Sequence, residues 1–300
     1  MSLELPKRVR NVAVGVTTGS ALLFLSGCSA EDKDQIQRLA MPDPRSEEAH
    51  YIYDLWQWSW LAAMLTGVLV WGLIFYAVIK YRRRSESEIP VQTRYNLPIE
   101  IFYTIAPVMM VVVFFFFTVR AQDGVLHAPK DLDKANAAAP YNVTVVGQQW
   151  SWTFNYTKGG KTVTQTVWEA GTPDDIPTLW LVEDQEVSID LYSPDVIHSF
   201  WPTDFLFKMD VVPGRAKENH FTVKPNKPGM FIGRCAELCG LYHSRMLFNV
   251  NVVSEAEYNA HLEELEAKGN VGMNAPGPYE QEVKGIEHHN GDEENSGVDE

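Results

Sequence analysis

The chain has 300 residues, enough for one or two domains, and its 45% hydrophobic content with aromatic-rich runs excludes a disordered protein. A formal charge of −14 leaves no basic surface to neutralise phosphates, which excludes a nucleic-acid partner. Only three cysteines are present, Cys28, Cys235 and Cys239, and each calls for its own account.

Residues 1–27 read as an export signal, with Lys7, Arg8 and Arg10 ahead of a short, mostly apolar stretch at 12–25. That stretch is too short to span a bilayer. Leu25-Ser26-Gly27-Cys28 resembles the bacterial lipobox, which makes Cys28 the expected site of lipidation and the start of an outer segment over 28–52. An ordinary signal peptide, or a short buried helix, is the plainer alternative.

Two later runs, 61–79 and 101–119, carry no charge and have the length of membrane spans. Trp56, Trp58 and Trp60 precede the first and suit a headgroup boundary. Between the runs, Lys80-Tyr81-Arg82-Arg83-Arg84 opens a polar loop that the positive-inside rule puts in the cytoplasm. A transmembrane hairpin over 53–123 then leaves both flanks outside.

After a linker over 124–140 the chain becomes a series of short strand-like runs at 143–146, 152–156, 162–167, 178–182, 187–192, 218–223 and 248–253. Gly159-Gly160, Pro213-Gly214 and Lys227-Pro228-Gly229 separate several of them. Such a pattern implies a Greek-key sandwich or barrel over 141–253. Ser254-Glu255-Ala256-Glu257 has the form of a capping box opening a helix over 254–268. Residues 269–300 read as an acidic, disordered tail.

The chemistry concentrates in Cys235-Ala236-Glu237-Leu238-Cys239-Gly240-Leu241-Tyr242-His243-Ser244-Arg245-Met246, joined by His198 in Asp195-Val196-Ile197-His198-Ser199-Phe200. Two thiolates, two imidazoles and a thioether suit copper and disfavour magnesium or calcium. A mononuclear blue-copper site needs one cysteine, so the second is surplus unless two thiolates bridge two coppers, each closed by a histidine. Zinc prefers closer cysteine spacing and has no use for the methionine. A Cys235–Cys239 disulfide would leave His198, His243 and Met246 without a purpose. Ligands from one upstream segment and one dense loop fit a cupredoxin. The expected fold class is therefore membrane-anchored α+β: an N-terminal two-helix transmembrane hairpin, then an extracytoplasmic all-β cupredoxin domain.

The copper string resembles the dinuclear copper (CuA) site of cytochrome c oxidase subunit II, of the bacterial lipoprotein type in the haem-copper oxidase family. Two further stretches are similar to that family: Gly147-Gln148-Gln149-Trp150-Ser151-Trp152-Thr153-Phe154-Asn155-Tyr156, and Glu100-Ile101-Phe102-Tyr103-Thr104-Ile105-Ala106-Pro107. The resemblance implies bridging thiolates at Cys235 and Cys239, terminal imidazoles at His198 and His243, a weak axial ligand at Met246 and a backbone carbonyl ligand at Glu237. It further implies a magnesium or manganese ion on the Glu237 carboxylate at a subunit interface. Trp150 is the implied arrival point of electrons and Glu100 the implied mouth of a proton path. Asp210 and Lys208 resemble the family's segment between the first histidine and the copper loop. Read without the resemblance, the aromatics of 150–156 are strand packing and Glu100 is an interfacial carboxylate.

The implied function is electron acceptance from a c-type cytochrome and delivery to a haem-bearing subunit that reduces oxygen and translocates protons. Implied partners are subunits I and III, membrane lipid, and a c-type cytochrome or a cytochrome bc complex as donor, at the bacterial plasma membrane. Neither span holds a histidine and no C-x-x-C-H occurs, so no haem is expected on this chain. Asp195 and Asp204 are surface carboxylates that could steer the donor. A quinol oxidase subunit II resembles the architecture but lacks the copper ligands. Nitrous oxide reductase carries a similar loop in a soluble protein with a second catalytic domain. A copper chaperone or storage lipoprotein is the alternative from another class, and it has no use for the hairpin or the Trp150 stretch.

Overall fold

The computed structural model describes residues 29–85, 87–89, 91–158, 165–215 and 218–275; the export signal, Cys28 and residues 276–300 lie outside the described residues. The chain divides after Asp43 into two units. In the first, Ser29 opens the short helix α1 (Ala30–Gln37) through a reciprocal cap: its hydroxyl accepts from Asp32 N–H at 3.0 Å, and the Asp32 carboxylate accepts from Ser29 N–H at 2.8 Å.

The second unit begins with two long helices, α2 (Glu47–Lys80) and α3 (Leu97–Val125). At about 51 and 44 Å they exceed a hydrocarbon core of about 30 Å. Their most apolar stretches have mean hydropathies of 2.2 and 2.3, and none of either is buried. Apolar side chains that meet no protein need lipid, which excludes a soluble core helix. Both helices overrun the 53–123 hairpin expected from hydropathy. Ser46 starts α2 by accepting from Ala49 N–H at 3.1 Å, a polar signal outside the apolar stretch.

That overrun fastens the hairpin to the β domain. Glu47 N–H donates to the Lys224 carbonyl at 3.0 Å, and Lys224 N–H donates to Glu48 Oε2 at 3.1 Å. Arg45 Nε donates to Asp204 Oδ2 at 3.1 Å. Asp204 is therefore tied to Arg45 and mostly covered, which corrects its expected place among donor-steering carboxylates.

Among the described residues ten strands form the β domain: β1 (Tyr141–Gln148), β2 (Ser151–Lys158), β3 (Val167–Ala170), β4 (Thr178–Val182), β5 (Val187–Tyr192), β6 (His198–Pro202), β7 (Met209–Val211), β8 (His220–Val223), β9 (Gly229–Cys235) and β10 (Leu247–Val253). They make two five-stranded sheets, ordered β3-β2-β1-β5-β8 and β4-β10-β9-β6-β7. Most neighbours are antiparallel; β1 with β5 and β10 with β4 are parallel. Trp152, Phe154, Phe200 and Phe248 fill the space between the sheets, with the Phe200 and Phe248 rings stacked at 4.7 Å. The Phe248 ring lies against the backbone of Gly233, where an added Cβ would fall 2.0 Å from its Cζ. Helix α5 (Glu255–Ala267), opened by the Ser254 and Glu257 capping box, buries Tyr258, Leu262 and Leu265 on the same core.

Two other expectations are corrected, in the linker and in the tail. The linker contains a helix, α4 (Leu132–Ala138), capped where Lys134 N–H donates to Asp131 Oδ1 at 3.0 Å. Strand β3 starts at Val167, and residues 162–164 of the run expected over 162–167 lie outside the described residues. The expected tail is ordered at its start: Val271 bridges to Val167, and Asn274 N–H donates to Asn155 Oδ1 at 2.7 Å.

Candidate metal centre

Strand register assembles the centre. In the β6–β9 pair Phe200 sits opposite Cys235, and Ala236 N–H donates to the Ser199 carbonyl at 3.0 Å, which draws His198 alongside the loop over 236–246. The β9–β10 pair closes that loop at its base, where Cys235 N–H donates to the Met246 carbonyl at 3.0 Å. Residues 37 positions apart are thereby brought to one end of the sandwich.

The two thiols face one another with sulfurs 3.8 Å apart, far beyond a disulfide bond of about 2.05 Å. Both cysteines are free and buried. Cys235 Sγ lies 3.9 Å from His198 Nδ1, and Cys239 Sγ lies 3.6 Å from His243 Nδ1, so each sulfur has its own imidazole. Met246 Sδ is 3.7 Å from Cys239 Sγ, and the Glu237 carbonyl oxygen is 3.2 Å from Cys235 Sγ. All six residues expected at the copper site are thus gathered. Donor atoms of His198, Cys235 and Cys239 lie within 4.8 Å of one another. His198 and Met246 are fully buried, while His243 is half-buried.

The electrostatics favour a cation between the sulfurs. Burial opposes ionisation of Cys235, but hydrogen bonds from His198 and the backbone outweigh it and lower its pKa. Burial and the neighbouring Cys235 charge both push Cys239 up. One thiolate disfavours the second, and a positive ion between the sulfurs would relieve that repulsion. The donor set is soft, and the residues fit copper.

The turn between β1 and β2 supports the loop from below. Gln149 Nε2 and Trp150 Nε1 both donate to the Cys239 carbonyl, at 2.7 and 3.1 Å. Gly240 follows at φ +120°, where a Cβ would come within 3.1 Å of Gln149 Nε2 and 3.2 Å of the Trp150 ring. Trp152 is fully buried, donates from Nε1 to the Met246 carbonyl at 3.3 Å, and meets His198 edge to face.

Trp150, the implied arrival point of electrons, is half-buried, its ring edge against Tyr242 of the loop at 5.1 Å. Leu238 and Leu241 are instead the prominent exposed groups there, at 76% and 80%. The Glu237 side chain is exposed as well. Asp195 turns inward: burial raises its pKa, but bonds to His198 Nε2 and to the amides of Gln149 and Val196 prevail and lower it. His198 is affected in turn; burial disfavours its charge, and hydrogen bonds to Asp195 and Cys235 more than offset this. Lys208 lies over the Trp201 ring at 4.7 Å, and Asp210 is exposed on β7, accepting at its carbonyl from Asn219 Nδ2.

Glu100 is not part of this cluster. It sits in the first turn of α3, about 38 Å along the helix from Val125, and its carboxylate accepts from Asn96 N–H at 2.8 Å. Sequence reasoning missed Gln149, Gly240 and Trp152 as supports of the centre. Their roles come from contacts between distant segments, and only the positive-φ glycine beside the second cysteine left a local trace.

Residues 34–120 match the family described as "Cytochrome C oxidase subunit II, transmembrane domain", and residues 141–253 match "Cytochrome C oxidase subunit II, periplasmic domain". The "Probable cytochrome c oxidase subunit 2" of Streptomyces coelicolor is 45% identical over 296 residues, covering 88% of this chain and 89% of that protein. The "Cytochrome c oxidase subunit 2" of Corynebacterium diphtheriae is 32% identical over 312 residues, covering 85% and 84%. A crystal structure of the periplasmic domain of subunit II of cytochrome oxidase (CoxB) from Bradyrhizobium japonicum is 29% identical, covering 43% of this chain and 96% of that one, with a TM-score of 0.38. The relatedness extends across hairpin and β domain alike and does not favour a copper-storage protein. The chain is membrane-anchored, carries an outer β domain with a copper site, and belongs to the cytochrome c oxidase subunit II family.

Proposed function

We propose that this chain performs its family's task, receiving electrons from a c-type cytochrome within a cytochrome c oxidase, at a dinuclear copper centre. Cys235 and Cys239 would bridge the two ions, His198 and His243 would close the two ends, and Met246 and the Glu237 carbonyl would complete the ligand set. The single observation carrying this reading is the pair of facing sulfurs, each with its own imidazole nitrogen within 4 Å. A bound copper pair supplies one-electron redox chemistry with the unpaired electron spread over both ions.

The protein's part is to hold the ligands still. The loop is tied to β6 at Ser199, to the β1–β2 turn at Cys239 and to Trp152 at Met246, so the donor atoms have little freedom to rearrange. Phe200, Phe248 and Trp152 exclude water from beneath. Leu238 and Leu241 form an apolar rim suited to a haem edge, with Trp150 and Tyr242 beside them. We place electron arrival at Trp150 because its indole hydrogen-bonds a ligand residue directly.

Several finer assignments belong to the same proposal. The exposed Glu237 carboxylate is a hard donor suited to magnesium or manganese at the contact with subunit I. Both helices cross the membrane, with the arginine-rich loop inside. Glu100 then lies at the inner boundary, where a carboxylate can gather protons for subunit I. Cys28 would carry a lipid, and subunit III would complete the complex. The test is oxygen uptake by the assembled oxidase with reduced cytochrome c. Cys239→Ser should abolish it while haem content stays at the parent level; unimpaired uptake would overturn the reading.

A further inference from the structure

We propose that Asp195 is the positioning residue of the metal centre, orienting His198 and at the same time anchoring the turn that carries Gln149 and Trp150. The inference rests on the reading of His198 as a copper ligand. Asp195 Oδ1 lies 2.9 Å from His198 Nε2, while Nδ1 of the same ring faces the Cys235 sulfur. With Nε2–H donating to the carboxylate, the lone pair stands on Nδ1, the nitrogen turned to the metal. His198 is fully buried, so its ring has no hydration to fall back on.

The other carboxylate oxygen reaches the opposite wall. Asp195 Oδ2 accepts from Gln149 N–H at 2.8 Å, and Oδ1 also accepts from Val196 N–H at 2.6 Å. The Ser193 hydroxyl, 3.2 Å from Oδ1, donates to the Val196 carbonyl at 2.6 Å and accepts from Asp195 N–H at 3.3 Å, fixing the turn that presents the carboxylate. Gln149 and Trp150 in turn donate to the Cys239 carbonyl. The contacts close a ring through Asp195, His198, Cys235, Cys239 and the Gln149–Trp150 turn. The carboxylate thus holds hydrogen bonds to His198, Gln149 and Val196 while 30% of its side chain stays exposed.

A carboxylate on Nε2–H makes Nδ1 a stronger donor and favours the more oxidised metal. Asp195→Asn keeps the shape and removes the charge. In the assembled oxidase, the reduced-to-oxidised ratio of the copper site at fixed potential should rise about tenfold, about 59 mV for one electron. The site's visible spectrum should shift. Ser193→Ala, which leaves both ligand and carboxylate in place, should give a smaller shift of the same sign. An unchanged potential and spectrum in Asp195→Asn would overturn the proposal, whatever happens to KM. If Asp195→Asn does not take up copper, an unchanged potential in Ser193→Ala overturns it instead. A parent enzyme lacking two coppers per chain contradicts the metal assignment and is recognised before either variant is compared.

Discussion

The indole nitrogen of Trp150 donates to the backbone carbonyl of Cys239 at 3.1 Å, joining the β1–β2 turn to a thiol-bearing residue of the metal centre. This one bond gives the aromatic stretch a physical link to the site that strand packing alone does not supply. Trp150 also braces Tyr242 edge to face, within the copper loop.

Trp150→Gln should slow reduction of the site by the donor cytochrome at least tenfold in a rapid-mixing experiment. The copper spectrum should persist, because the six gathered donors remain. Trp150→Phe, which keeps a ring but lacks the N–H, should fall between the two. Equal rates in all three proteins would place electron arrival elsewhere on the loop.

Much of this architecture is legible in the sequence, and its gaps have physical causes. The strands at 178–182 and 187–192 are read directly, because β-branched and aliphatic residues dominate them. β6 and β9 are not, since they carry His198, Pro202, Gly229, Gly233 and Arg234, residues placed for the site and for close packing at the expense of strand propensity. Helix α4 hides in an alanine-rich linker whose partner, Asp190, lies 54 residues away and accepts from Asn136 Nδ2 at 3.1 Å. The six expected copper donors are legible because soft ligands in that number have few other uses, whereas the bond from Asp195 to His198 depends on how its loop folds back.

Gly233→Ala should destabilise the outer domain. The new Cβ would overlap the Phe248 ring, itself stacked on Phe200, so relief requires shifting the centre of the core. Overpacking of this kind costs about 1–3 kcal/mol. A denaturant midpoint equal to the parent's would show that Phe248 moves freely.

Asp190 makes stability depend on pH. Burial pushes its carboxyl from 3.8 to about 6, against weaker help from Asn136 and His220. A carboxyl whose pKa is raised on folding holds its proton in the native state, so its stability contribution is complete below its unfolded value and lost as pH rises through about 6. A gap of about 2 units corresponds to about 3 kcal/mol. Asp190→Asn, with no charge to desolvate, should therefore stabilise the protein at pH 7.5 and change little at pH 4. Equal effects at both pH values would remove the titration from the explanation.

Glu100→Gln should lower turnover of the assembled oxidase several-fold while copper content and reduction by the donor are unaffected. Glutamine can still accept from Asn96 N–H and so preserves the start of α3. Parent-level turnover across the pH range would leave Glu100 with the helix-capping role alone.

The most direct test of the metal centre is the copper content and electron paramagnetic resonance of the purified full-length chain, compared with its Cys235→Ser and Cys239→Ser variants. Facing thiols 3.8 Å apart, each with its own imidazole, predict two coppers per chain and one unpaired electron shared equally between two copper nuclei, with that signal lost in either variant. A single copper per chain, with the hyperfine pattern of one nucleus, would contradict the account.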